Sequence, residues 1–371
     1  MELRGNEHVE EAASERVGAV KQVCAVLILA ARRQVFKMDS LTVANTKFAI
    51  LLFKKLKEGK GNENIFLSPL SISTALAMVY LGAKGNTAAE MAKVLHFDTD
   101  EDVHPKFKEL MAGINDRDKP YLLKLANRLF GEETHTFLKG QWSSKFTENK
   151  TYVKSFWLNK KESKPINMMF QEEEFYLGYI EELQTKVLEL PYIQNELSMI
   201  ILLPDSINDN STGLEQLEQT LTYENLLLWT NQANMMKIKV RVHLPRFKLE
   251  DQFNLKDVLS AMGMTEAFDQ VKANFTGMSE TNNLFLSNVF HKSFVEVNEE
   301  GTEAAAGSAA LISNRSLPLE TEFLADHPFL FFIKHNKSES ILFFGCFSSP
   351  GDEVRGYKGA QQMTQQVQRC K

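Results

Sequence analysis

The stretch EEGTEAAAGSAALISNRSLP, residues 299–318, holds the residues best placed to take part in chemistry. Between 301 and 310 it is built of Gly, Ala, Ser and Thr, with Glu303 the only charge. The alanines would allow a helix over 302–311, but no apolar face recurs at the helical period, and Gly301 and Gly307 bracket the segment. It reads as a surface loop. Laid out as a strand, Thr302, Ala304, Ala306, Ser308, Ala310 and Ile312 face one way, and all but the last are small and uncharged. A segment with so smooth a side can enter between two existing strands without overpacking the layer beneath. A single cation, Arg315, follows beside Ser316. Read without further context, it is an ordinary solvated loop residue.

Other chemistries leave weaker marks. Cys24, Cys346 and Cys370 form no CxxC or Cys/His grouping, so no metal centre is expected, and the odd, sparse count fits a reducing compartment. Eight His and many Ser occur without a G-x-S-x-G elbow, so no enzyme and no cofactor are expected. Acidic residues outnumber basic ones 48 to 42, which argues against a nucleic-acid partner. No like-charge run suggests a membrane-binding arm, and KKLKEGK at 54–60 reads as the solvated end of a helix. The apolar run 23–31 is too short to span a bilayer. Glu7, Glu10, Glu11 and Glu15 before it are unlike a signal peptide. Sequons at Asn149, Asn210, Asn274, Asn314 and Asn336 matter only on a secretory route.

These residues need elements to hold them. Phe48, Leu52 and Leu56 recur every four residues among lysines and stop at Gly59, the pattern of an amphipathic helix. Ser68-Pro69 is an N-cap followed by proline at the first helical position, opening an apolar, buried helix to about Leu81. Asn86 or Thr87 caps a third helix ending near Leu95. Ile238, Val240, Val242 and Leu244 alternate with charged or polar residues, as in a half-buried strand. The run 197–203 suits a strand covered on both faces. Residues 284–298 are extended and lead into the small-residue ribbon, and 329–333 and 341–347 form a hairpin about KHNKSES. Helices come mainly first and strands last, so the fold class is α+β. Residues 351–371 read as an unpacked polar tail.

Several long motifs resemble serpins, the serine protease inhibitors. VFHKSFVEVNEEGTEAAAGSAA looks like the strand and hinge of that family. ADHPFLFFIKHNKSESILFFGCFSSP resembles its C-terminal signature, and NIFLSPLSISTALAMVYLGAKGNTAAEM its second and third helices. MDSLTVANTKFAILLF resembles the start of an ovalbumin-type, intracellular member, and LPRFKLE and LSMIILLP resemble family strands. The resemblance runs over 38–350 and implies a serpin domain there, with an extension at 1–37, a tail at 351–371 and a reactive loop at about 301–322. It implies a central sheet A with sheets B and C, surrounded by helices.

It also implies a mechanism. The hinge is Gly301, Thr302, Glu303, Ala304, Ala305 and Ala306. Counted from Gly301, the fifteenth residue is Arg315, so the reactive bond is Arg315–Ser316. An arginine there implies a trypsin-like serine protease as partner, met by a cytoplasmic monomer that also leaves the cell by an unconventional route. A controlling shutter resembles Ser68, Ser71 and His291, and Trp142 matches the tryptophan where insertion starts. The alternative is a non-inhibitory variant that is cleaved as a plain substrate or acts by binding.

The chain also departs from the family. LANRLFGEETHTFL runs directly into KGQWSSKF at Leu138–Lys139, where the family has two helices and two further strands. One strand needed beside the inserting loop is therefore expected to be missing, together with the shutter's asparagine. An edge left open there would cost about 1–3 kcal/mol per unpaired backbone group. A splice variant, or an imperfect gene model, of an inhibitory parent is the expected origin. Cys346 stands where the family commonly has arginine.

Overall fold

A computed structural model describes residues 39–97, 103–116, 118–125, 136–280, 283–302 and 321–351. Apart from Asp39 these fall in one compact unit, Ser40–Lys371. Four helices come first: α1 (Ser40–Lys57), α2 (Pro69–Tyr80), α3 (Gly85–Leu95) and α4 (Val103–Ile114). α2 begins as its sequence requires. The Ser68 hydroxyl accepts the Ser71 N–H at 3.3 Å, and Pro69, which has no N–H to lose, takes the first turn. α3 starts earlier than expected, with Lys84 at its N-cap. The Thr87 hydroxyl instead accepts the Asn274 N–H at 3.0 Å, a tertiary bond that sequence spacing does not announce.

The strands form two sheets. The first contains β2 (Tyr121–Lys124), β3 (Thr136–Gln141), β9 (Phe247–Asn254), β10 (Phe290–Val297) and β11 (Gly301–Thr302), in the order β2-β3-β11-β10-β9. This is sheet A. β10 begins at Phe290 because 283–289 are irregular, so the extended stretch is shorter than its sequence suggests.

The second sheet holds β1 (Ile65–Leu67), β4 (Tyr152–Trp157), β5 (Ser163–Ile180), β6 (Thr185–Pro191), β7 (Leu197–Pro204), β8 (Met236–Pro245), β12 (Thr321–Leu324), β13 (Phe329–His335) and β14 (Ser340–Phe347). The 18-residue β5 pairs with β4 and β8 along one part and with β6 at its end, so sheets B and C run into one another. Short helices α5 (Glu215–Thr220), α6 (Tyr223–Thr230) and α7 (Lys256–Ala261) fill the connections.

The core lies where sheet A meets the β13–β14 hairpin. Every residue of β7, β13 and β14 is buried, which explains why these strands read as unbroken apolar runs. Phe66 stacks on Phe343 at 5.2 Å and on Phe331 at 5.9 Å, and Phe247 meets Phe347 at 4.7 Å. Each such ring contributes roughly 2–3 kcal/mol of burial. Cys346 is fully buried, and burial pushes its thiol pKa up despite Lys57 Nζ at 3.6 Å.

Candidate functional site

Gly301 and Thr302, expected to open a hinge, lie in sheet A. Residues 298–301 turn sharply: Asn298 Oδ1 accepts the N–H of Glu300 at 3.0 Å and of Gly301 at 3.2 Å. Gly301 has φ +150°, and a Cβ there would lie 2.0 Å from the Gly140 oxygen, so only glycine fits. β11 then enters between two strands. Gly301 faces Gln141, and Thr302 faces Gly140 on one side and Val297 on the other.

Aromatic and ionic groups brace this turn. Trp142 stacks on Tyr192 at 4.6 Å, its ring N–H donates to Asn298 O at 3.0 Å, and its backbone N–H donates to Glu300 O at 2.9 Å. The Tyr192 and Thr302 hydroxyls are 2.7 Å apart and fully buried, and burial raises the phenol pKa well above its ordinary 10. Glu299 is 2% exposed. Its carboxylate accepts from Arg246 Nη2 at 2.6 Å, Arg246 Nε at 3.1 Å and Thr151 Oγ1 at 2.6 Å. Lys145 pairs with Glu300.

A second cluster sits lower on the same strands. The Ser68 N–H donates to His291 Nε2 at 3.0 Å, and the Ser68 hydroxyl donates to Leu342 O at 2.7 Å. The Ser71 and Thr136 hydroxyls are 3.3 Å apart, and the Ser293 hydroxyl donates to Phe66 O at 2.7 Å. Thr136 and Phe137 pair directly with Ser293 and Phe294 in a parallel ladder.

The family model "Serpin (serine protease inhibitor)" matches residues 43–138 and 134–350. The chain belongs to the serpin family. Leukocyte elastase inhibitors of Equus caballus and Homo sapiens are 45% and 44% identical over 379 aligned positions, covering 84% of this chain and 100% of the relative. Among solved structures, maspin aligns with a TM-score of 0.74 at 33% identity, covering 84% of this chain and 99% of that one. Uncleaved ovalbumin aligns at 0.71 and 31%, covering 84% and 100%. This serpin is internally shortened. Since 84% of 371 residues is about 312, about 67 of the 379 aligned positions have no counterpart. The two family-model matches meet where the sequence breaks.

Sheet A is shortened here, but a strand still forms across the junction: the six-residue β3, which pairs directly with Ser293 and Phe294 of β10. The reason is its alternation: Thr136, Leu138 and Gly140 are buried while Phe137, Lys139 and Gln141 face outward, the pattern of a strand with one covered side. β3 also brings the Thr136 hydroxyl within 3.3 Å of the Ser71 hydroxyl.

Of the residues singled out from the sequence, Gly301, Thr302 and Trp142 come together above, and Ser68, Ser71 and His291 below. Glu303, Ala304, Ala305, Ala306, Arg315 and Ser316 lie outside the described residues. Sequence reasoning missed Glu299, Arg246, Thr151, Tyr192 and Thr136. Glu299 stood inside the opening stretch, but its partner is fixed by the β9–β10 register, which sets Phe247 opposite Val297.

His291 supplies a pH test. Its Nε2 accepts a hydrogen bond, so the ring is neutral, and burial pushes its pKa from 6.5 down to about 3. Below pH 6.5 the unfolded chain takes up a proton that the folded chain refuses. The contribution of His291 is therefore complete above pH 6.5 and is lost as pH falls towards 3, by up to ~1.4 kcal/mol per pH unit. His291→Gln, which keeps an acceptor, should flatten the slope of Tm against pH between these values. An unchanged slope in scanning calorimetry would rule this out.

Proposed function

We propose that this serpin offers Arg315–Ser316 as bait to a trypsin-like serine protease and traps the enzyme by inserting the loop at about 301–322. The protease serine attacks the Arg315 carbonyl, the Ser316 amine leaves, and the loop remains as an acyl ester. Insertion as an added strand then carries the tethered enzyme away before water can release it. The observation that supports this reading is β11, in which Gly301 and Thr302 pair with β3 and Thr302 also pairs with Val297 of β10. Relatives are named as inhibitors of leukocyte elastase. Here Arg315 favours a pocket with a carboxylate over the small pocket of an elastase. A monomer acting in the cytoplasm, or outside the cell after unconventional release, fits the intracellular-clade resemblance, and the serpin domain is assigned to 38–350. Among the described residues no helix is long and apolar enough to cross a membrane.

A second reading, cleavage as a plain substrate, is favoured by the six-residue length of β3. Incubation with trypsin separates the two. A conjugate that survives SDS and holds the protease inactive supports the trap. Clean cleavage after Arg315, with full trypsin activity retained, overturns it in favour of the substrate.

A further inference from the structure

We infer that the outer face of sheet A is a docking surface for an acidic amphipathic helix of another protein. The inference goes beyond the bait reading and does not depend on it, since none of its residues lies in the loop.

Alternate residues of β2, β3, β10 and β9 point to opposite sides of the sheet. On one side Leu123, Leu138, Val295 and Leu249 are buried. The other side presents Leu122, Phe137, Phe294 and Phe290. Phe290 is 68% exposed and Leu122 55%, while Phe137 and Phe294 are half-buried. The register sets Lys124, Phe137, Phe294 and Glu250 in one line across the four strands. At about 4.8 Å per strand the line is roughly 14 Å wide. Phe290 lies farther along β10, roughly 13 Å from Phe294. Single exposed apolar residues need no explanation, but a group gathered on one face marks an interaction site.

Charge says what kind of partner fits. Lys124 and Lys139 hold their ammonium groups over the Phe137 ring at 5.8 and 5.7 Å, and Lys248 lies over the Phe294 ring at 5.1 Å. Lys292 adds a fourth cation, against Glu250 and Glu296. Among the described residues this face is therefore net positive, in a chain whose formal charge is -6. The cations surround the rings, so a partner needs an apolar stripe with carboxylates beside it. A helix supplies both, with apolar residues at the i, i+3, i+4, i+7 spacing and acids flanking them. About three turns, roughly 16 Å, cover the row.

Other occupants fit less well. Nucleic-acid bases would need ring faces that the lysines already cover. An anionic bilayer would press its headgroups on Glu250 and Glu296. A second copy of this chain would set lysines against lysines. Ladder hydrogen bonds lie within the sheet, whereas docking contacts stand out from it, so loop insertion and docking use different groups.

Fluorescence titration of the full chain tests this. The probe is a synthetic helical peptide of about 18 residues, with leucines on one face and glutamates beside them. Its twin carries lysines in place of the glutamates. The acidic peptide is expected to bind saturably, more weakly as salt rises, and the twin not to bind. Lys124→Glu combined with Lys248→Glu, both exposed, should weaken binding about tenfold. Phe290→Ser should weaken it about tenfold as well. Carbodiimide should join peptide glutamates to Lys124, Lys139, Lys248 or Lys292, as read by mass spectrometry. Arg315→Ala should bind the peptide as the unaltered chain does, which separates this surface from the bait. Equal binding of the two peptides, cross-links at other lysines only, or binding unchanged by the lysine reversals overturns the docking surface. Phosphatidylserine vesicles or single-stranded RNA that bind where the peptide does not overturn the helix as occupant. If Phe290→Ser does not fold, the lysine reversals decide.

Discussion

Arg315→Ala slows the attack of trypsin on the loop by roughly 10²–10³-fold. The guanidinium would enter a pocket whose buried carboxylate it satisfies through paired hydrogen bonds. Truncating one partner of such a desolvated pair costs about 2–5 kcal/mol, and each 1.4 kcal/mol is tenfold in rate. Arg315→Lys keeps the charge but loses the planar fork, so it falls between the two. The measurement is the second-order rate of cleavage or conjugate formation under excess protease, with the cut located by mass spectrometry. A loss below tenfold, or a cut elsewhere in the loop, would show that Arg315 is an ordinary solvated residue and that recognition lies at another position.

Arg246→Ala destabilises the fold by about 3–5 kcal/mol, because it leaves the Glu299 carboxylate buried without its cation. The melting temperature is expected to drop by roughly 5–10 °C. Thr151 still donates to Glu299 Oε1, but a neutral donor does not replace a charge. The double variant Arg246→Met, Glu299→Leu should recover most of the loss, since a buried ion pair replaced by apolar residues of similar volume is often neutral. Calorimetry of the two variants checks both statements. A single variant that melts like the unaltered chain would mean that water reaches Glu299. The location matters to function, because the Glu299 carbonyl also accepts the Phe146 N–H and the next residues form the turn into β11. Loosening this pair should speed exchange at Gly301 and Thr302 without touching the lower cluster.

The sequence by itself determined what depends on neighbours along the chain. Ser68 and Pro69 start α2 because an N-cap hydroxyl and a missing N–H are local requirements. The buried runs of β7, β13 and β14 were legible because an apolar strand needs cover on both faces. The long motifs carried the family, whereas the alanine ribbon lies outside the described residues. The tertiary structure alone decided which distant groups meet. Thr136 lies 65 positions from Ser71 and Arg246 lies 53 from Glu299, so no local pattern links them. It also decided how sheet A survives its shortening. Leu138–Lys139 reads as a break along the chain, yet the alternation on either side of it makes one strand, β3, once β10 offers a partner. Pairing sets that outcome because a strand's hydrogen bonds are satisfied across the sheet and not along the chain.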